Sequence, residues 1–245
     1  MHEEIYINRL MDLLGRLLKD QRAEIDAAVD IIANALMNDG VIHLFGTGHS
    51  SLIAQEAFMR AGGLLPVNAI LDERILLSGG SLNSTINEKQ EGLAAEILSG
   101  HQVRSTDAGI VISNSGRNAA PVEMALEMKK AGIRVIAITS IVHSESVASA
   151  APGGKKLMDV ADVVLDNYAP YGDAVVRIPE LDSAMGAAST VTGAALINSI
   201  FILAAEKMLS KGSRPLALPS GNMADADYTR IQAAMAELAG RIKYI

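Results

Sequence analysis

The first 38 residues are laid out at helical spacing. Leu10, Leu13, Leu14, Leu17 and Leu18 fall on one apolar stripe, and Ile25, Val29, Ile32 and Leu36 fall on another, so two packing helices are predicted over residues 5–38. The period then changes. "VIHLF" (41–45) is an unbroken apolar run, a helical pattern follows it to about Ala61, and "LLPVNAIL" (64–71) is a second apolar run. A polar turn, "SGGSLNST" (78–85), leads into a helix through "NEKQEGLAAEILSGH" (87–101). The same order returns in "DAGIVIS" (107–113), the turn "NSGRN" (114–118), the helix "AAPVEMALEMKKAG" (119–132) and the strand "RVIAITS" (134–140). Alternating buried strands and helices predict a parallel sheet covered by helices on both faces.

Past residue 150 the punctuation is denser. "APGGKKLMDVAD" (151–162) reads as a loop, "DVVLDN" (162–167) and "DAVVRI" (173–178) as short strands, and residues 187–210 as a long helix. The Pro- and Gly-marked stretch "SRPLALPSGNMADADYTR" (213–230) connects to a final helix over 225–243. Asp225 and Asp227 would be its cap and dipole partners, or would reach a neighbouring subunit's pocket. No low-complexity tract or linker intervenes. One domain over 1–245 is expected, with N-terminal helices over 1–39, an α/β core over 40–210 and a C-terminal loop and helix over 211–245.

Composition narrows the functions available. A chain of 245 residues that is 49% hydrophobic can bury a sizeable core. It has no cysteine, so disulfides and thiol nucleophiles are excluded, and a reducing, cytoplasmic compartment is expected. The amino terminus has neither a basic leader nor a long apolar run. The most apolar later segment, "GAALINSIFILAAEKML" (193–209), is broken by Asn198, Ser199 and Glu206, which suits a core helix or an oligomer interface rather than a membrane span. A net charge of −7 without a basic cluster argues against nucleic acid as a partner. A small anion is still admissible, because local amides bind one regardless of net charge.

Two loops carry the candidate chemistry. In "GTGHSS", Gly46 and Gly48 allow a tight turn at the end of a strand and leave amides uncovered, while Ser50 and Ser51 add hydroxyls where a helix begins. Ser50 as a plain helix cap is the competing reading. The second loop, "SNSGRN", repeats the arrangement. Both lie at carboxyl ends of parallel strands, where open α/β sheets bind ligands, so a shared anion pocket is expected. His49, within the first loop, would contact ligand oxygens or shuttle a proton. A dinucleotide site is not indicated, since Ser51 stands where G-x-G-x-x-G needs a third glycine or alanine and no acidic residue ends a following strand in a ribose-binding position, Asp72 being the nearest candidate. The five histidines lack metal-ligand spacing, so neither metal nor cofactor is expected.

"GTGHSS" with "SNSGRN" and "VIAITS" resembles the SIS (sugar isomerase) domain of phosphosugar isomerases and phosphosugar-binding proteins, and "RAGGLLPVN" and the late "SGN" are similar to a stand-alone, phosphoheptose-isomerase-like group of that family. The resemblance covers nearly the whole chain. It implies a five-stranded parallel sheet in a three-layer α/β/α sandwich of flavodoxin-like topology, and a homodimer or homotetramer. Gly46, Gly48 and Ser50 match the first family motif; Ser113, Ser115 and Gly116 match the second, with Asn114 between them. Asn118 stands where threonine is usual, and its amide can still donate. Arg117 would pair with phosphate bidentately, or be solvated. Ser189 and Thr190 resemble a position that contributes polar contacts to the sugar or phosphate, with helix capping as the alternative. For the base of an aldose–ketose isomerisation the resemblance favours Glu91, on a helix after the second strand; Glu56 is the second choice, and Glu88 shares a face with Glu91. His43 reads as a core residue, and nothing ranks His101 against His143. The functions expected are sugar-phosphate isomerase, a lyase or etherase variant, or a non-catalytic phosphosugar sensor.

Overall fold

A computed structural model describes residues 2–223 and 227–245. The chain opens with α1 (His2–Leu17) and α2 (Arg22–Met37), then alternates β1 (Ile42–Gly46), α3 (Ser50–Glu56), β2 (Val67–Ile70), α4 (Ser81–Asn87), α5 (Leu93–Ser99), β3 (Ala108–Ile112), α6 (Ala119–Lys130), β4 (Arg134–Thr139), α7 (Ile141–Glu145), α8 (Leu157–Val160) and β5 (Val163–Asp166). A short hairpin of β6 (Ala174–Val176) and β7 (Met185–Ala187) precedes α9 (Ser189–Ser210) and α10 (Thr229–Leu238).

The five main strands form one parallel sheet in the order β2-β1-β3-β4-β5, the topology the family resemblance implies. Its two faces bury alternate residues, which is why the strands read as continuous apolar runs. Ile42 and Leu44, Ile110 and Ile112, and Ile136 and Ile138 point to a cluster with α2, α3 and α9. Phe45, Val111, Val135 and Ala137 point to the opposite cluster with α5, α6 and α8. The connections run to opposite sides of the sheet on leaving β1 and β3, so the carboxyl ends of these neighbours open a crevice.

Several elements differ from the sequence reading, each because a distant segment intervenes. The helix expected to reach Ala61 stops at Glu56. Gly62 and Leu65 instead donate to Leu218 and Leu216, and Leu218 donates back to Gly63, so residues 62–65 pair with the C-terminal segment and β2 begins only at Val67. The polar turn 78–85 holds α4. The helix expected over 87–101 is interrupted: α4 ends at Asn87 and α5 starts only at Leu93, after Gly92, whose φ of +81° no helix accommodates. α8 lies inside the stretch read as a loop. "DAVVRI" yields β6, which stays out of the main sheet and pairs antiparallel with the unforeseen β7 against α1, where Tyr6 Oη donates to Ala187 O at 2.9 Å. Leu10 and Leu17 are buried and Leu13 and Leu14 half-buried, but Leu18, just past α1, is exposed. α10 is shorter than 225–243; Asp227 caps its start, accepting from Thr229 N at 2.9 Å, while Asp225 lies outside the described residues.

A polar network closes the amino end of the sheet, opposite the crevice. The buried Asp107 carboxylate accepts from Val41 N (2.9 Å), Arg104 N (2.7 Å), His43 Nε2 (3.0 Å) and Arg241 Nη2 (2.5 Å). Asn68 Nδ2 bridges His43 and His101, and Asn68 Oδ1 accepts from Lys243 N. Desolvation sets a penalty on the Asp107 charge, but these donors hold its carboxyl down at about 2. Burial, then the nearby charges of Lys243 and His43, push His101 down to about 4. His43 is thus a core residue, and His101 belongs to this lock on the chain's C-terminal segment.

Candidate functional site

The first loop leaves β1 at Gly46. A Cβ there would lie 2.6 Å from the carbonyl carbon and oxygen of Ser50, so only glycine lets α3 start so close to the strand end. Most of the amides expected to face an anion are already spent. Gly48 N donates to Ile75 O, and the amides of Ser50, Ser51 and Leu52 donate to Thr47, Gly48 and His49 carbonyls within the turn. Ser51 is buried, with its hydroxyl on Gly48 O at 2.7 Å. What the first loop offers outward is the half-buried Ser50 hydroxyl and the exposed His49; the Ser50 hydroxyl and the amides of Thr47 and His49 have no partner among the described residues.

The second loop keeps its donors. Ser113 is buried at the end of β3, and its Oγ accepts from Gly116 N at 3.2 Å, which staples the turn. Gly116 takes φ +59°, and its carbonyl accepts from Leu157 N. Asn114 ties the loop to the next two strands: its carbonyl accepts from Thr139 Oγ1 and Ser140 N, and its Oδ1 accepts from Asn167 Nδ2. The amides of Ser115, Arg117 and Asn118 and the Ser115 hydroxyl carry no hydrogen bond to any of the described residues. They sit where the twelve-residue α6 begins, with its positive dipole end. The second loop is therefore the stronger anion cradle.

Glu88 joins the two loops. This half-buried residue follows the last turn of α4, and its carboxylate accepts from Thr47 Oγ1 at 2.7 Å and from Asn118 Nδ2 at 2.8 Å. Its carbonyl also accepts from Ala120 N in the first turn of α6. Asn118, at the N-cap position of α6, gives the helix no side-chain cap because its side chain is turned to Glu88, and Ala120 N is taken by the Glu88 carbonyl instead. A carboxylate, a serine from each loop and the amides of Ser115, Arg117 and Asn118 thus border one crevice. That set can hold a phosphate and move a proton beside it.

The other candidates are placed differently. Glu91 is exposed in the turn between α4 and α5, on the side of Glu123, because α4 ends at Asn87 with Glu88 as its C-cap, so Glu88 and Glu91 share no helix face. Glu56 is exposed and ion-paired to Arg60 within its own segment. Ser189 starts α9, where Asp173 accepts from Ser189 N and Ser189 Oγ, each at 2.7 Å, so its polar groups serve the helix start. Asp72 is held by Arg74, which lowers its pKa and also bonds Glu96, a strand-end ion cluster. Among the described residues no group of three or more His, Asp or Glu side chains is arranged for a metal ion. No local signal in the sequence separates Glu88 from Glu91; the choice rests on where α4 ends.

Comparison with known proteins bears on the family and the fold. The family model of the SIS domain matches residues 5–140. A UPF0309 protein of Listeria innocua is 40% identical over 222 residues, spanning 91% of this chain and 90% of that protein. One from Halalkalibacterium halodurans is also 40% identical over 222 residues, with the same coverage of 91% and 90%. Among solved structures, a phosphoheptose isomerase from Francisella tularensis superposes with a TM-score of 0.54 at 15% identity, over 81% of this chain and 94% of that one. A phosphoheptose isomerase from Neisseria gonorrhoeae superposes with a TM-score of 0.52 at 19% identity, over 81% and 93%. At these identities the likeness to the two isomerases is one of fold.

Proposed function

Since the chain belongs to the SIS domain family, we propose that it binds a sugar phosphate in the crevice between the β1–α3 and β3–α6 loops and interconverts aldose and ketose forms, with Glu88 as general base. The observation that carries this reading is the Glu88 carboxylate reaching Thr47 on one loop and Asn118 on the other, at 2.7 and 2.8 Å. The phosphate lies on the amides of Ser115, Arg117 and Asn118, with the Ser50 and Ser115 hydroxyls as further donors. Glu88 takes the proton from the carbon beside the substrate carbonyl and returns it to the former carbonyl carbon, while the hydroxyl proton on the neighbouring oxygen passes to the former carbonyl oxygen, so carbonyl and hydroxyl exchange places. The enediolate between these steps needs hydrogen-bond donors, and Thr47, Asn118 and His49 border the carboxylate's loops.

A non-catalytic phosphosugar sensor is the second reading. Both Glu88 oxygens already accept a hydrogen bond, from Thr47 Oγ1 and Asn118 Nδ2, so the carboxylate is committed to holding the two loops together. The rest of the proposal is a single SIS domain over 1–245, working in the cytoplasm as a homodimer or homotetramer. Oligomerisation is supported by the outer side of α9, where Val191, Ala195, Asn198, Ile202, Ala205 and Leu209 alternate at spacings of four and three and Val191, Ile202 and Leu209 are exposed.

The test is a thermal-shift screen against sugar phosphates and their unphosphorylated counterparts, followed by NMR in D₂O on each stabilising compound. Deuterium entering at C1 or C2 establishes the isomerase. Stabilisation without exchange selects the sensor, and no preference for phosphorylated sugars refutes both.

A further inference from the structure

One cation at the rim of the second loop has nothing to neutralise it. Arg117 is half-buried, forms no ion pair with any described residue, and its Nε is buried without a hydrogen-bond partner. A buried guanidinium nitrogen without an acceptor is costly to maintain, and such groups are normally paired. The backbone at Arg117 is held toward the segment after α7, its carbonyl accepting from Ala150 N at 2.9 Å.

α7 brings a second donor to the same place. His143 is half-buried, its ring centroid 5.1 Å from that of Tyr171. Its Nδ1 accepts from Gly172 N at 3.4 Å, which assigns the proton to Nε2, and Nε2 has no partner among the described residues. Arg117 is close enough for its charge to act on His143, with Asp173 acting in the opposite sense. Asp173 does not take up either donor by hydrogen bonding, because its carboxylate is occupied by Ala188 N, Ser189 N and Ser189 Oγ. Two N–H donors that lack acceptors therefore flank one side of the loop whose amides are also free.

We propose that Arg117 and His143 form an anion clamp on the α7 side of the second loop, which grips the phosphate of the sugar phosphate from the flank and makes His143 a specificity-determining residue for phosphorylated ligands. The clamp rests on the sugar-phosphate reading above. It also separates the histidines: His143 serves the ligand end of the sheet and His101 the opposite end.

Inorganic phosphate is the probe, titrated calorimetrically into the full chain and into Ser115→Ala, Arg117→Ala, His143→Ala and His143→Gln. Arg117→Ala and His143→Ala are each expected to weaken phosphate about tenfold, the range of one charge-assisted hydrogen bond. The double variant is expected to lose less than the product of the two, because both act on one anion. His143→Gln, which keeps an N–H donor, recovers part of the loss. Melting of the unliganded variants shows whether each is folded, and the ¹⁵N resonance of His143 Nε2 in the parent protein, which is expected to move on adding phosphate, tests the contact without a substitution. Phosphate affinity within twofold of the parent in His143→Ala, with Ser115→Ala weakened, overturns the clamp and leaves the cradle. An unmoved His143 resonance on saturation with phosphate overturns it as well. Equal affinity in all of the variants refutes the phosphate reading itself.

Discussion

Glu88→Gln separates catalysis from architecture at the carboxylate that joins the two loops. Glutamine keeps the side-chain shape. With its amide oxygen toward Asn118 Nδ2, its NH₂ group meets Thr47 Oγ1, a hydroxyl able to turn and accept, so both contacts at 2.7 and 2.8 Å survive without the charge. Replacing two charge-assisted bonds by neutral ones costs about 1–3 kcal/mol in a buried site. The half-buried position of Glu88 reduces this to about 1 kcal/mol, or roughly 2–4 °C in melting temperature for a chain of this size. Loss of the base, by contrast, removes about 10²–10⁴ in rate. The assay is deuterium exchange and turnover on the sugar phosphate that shows exchange with the parent protein, with affinity measured in parallel. Glu88→Gln should bind within about threefold and turn over at least a hundredfold more slowly, about 2.7 kcal/mol in the barrier. Glu91→Gln and Glu56→Gln should behave as the parent. Normal turnover in Glu88→Gln, or a hundredfold loss in Glu91→Gln, refutes the assignment.

The remaining predictions concern the scaffold. Gly46→Ala places a methyl 2.6 Å from backbone atoms of Ser50, so the first loop must shift; a loss of about 1–3 kcal/mol by urea unfolding and weaker sugar-phosphate binding are expected. Arg241→Ala strands the buried Asp107 charge and should cost about 3–5 kcal/mol in the same measurement. His101 holds its proton less tightly when folded than its ordinary value of 6.5, so stability should decline as pH falls from about 6.5 to about 4 and level off below; allowing for partial exposure, about 1–2 kcal/mol is at stake, and His101→Gln should flatten the slope. Asp107, held near 2, adds a further loss as pH falls from about 4 toward 2. Ile202→Glu places a charge on the apolar outer stripe of α9 and should yield monomers in analytical ultracentrifugation.

What can be read from the sequence alone is what local periodicity carries. The apolar runs at 41–45, 107–113 and 134–140 and the helix stripes around Leu10 and Ile25 are properties of neighbouring residues, and they sufficed for a parallel sheet between helix layers with glycine-marked loops at its ligand end. The two loop motifs carried the family resemblance for the same reason, because each is complete within six residues. Tertiary structure decided what depends on residues far apart. Residues 62–65 follow the C-terminal segment rather than extending α3, and Asp107 meets Arg241 across 134 positions, neither of which leaves a local pattern. The amides of Gly48, Ser50 and Ser51 in the first loop are taken by nearby carbonyls, whereas those of Ser115, Arg117 and Asn118 in the second have no acceptor among the described residues, although the two motifs look alike. Glu88 rather than Glu91 meets both loops because α4 ends at Asn87, which leaves Glu88 at its C-cap beside Thr47 and Asn118 and puts Glu91 in the turn beyond. That outcome needs α4 and α6 already in place, since a carboxylate's partners are set by the packing of helices and not by its neighbours in sequence.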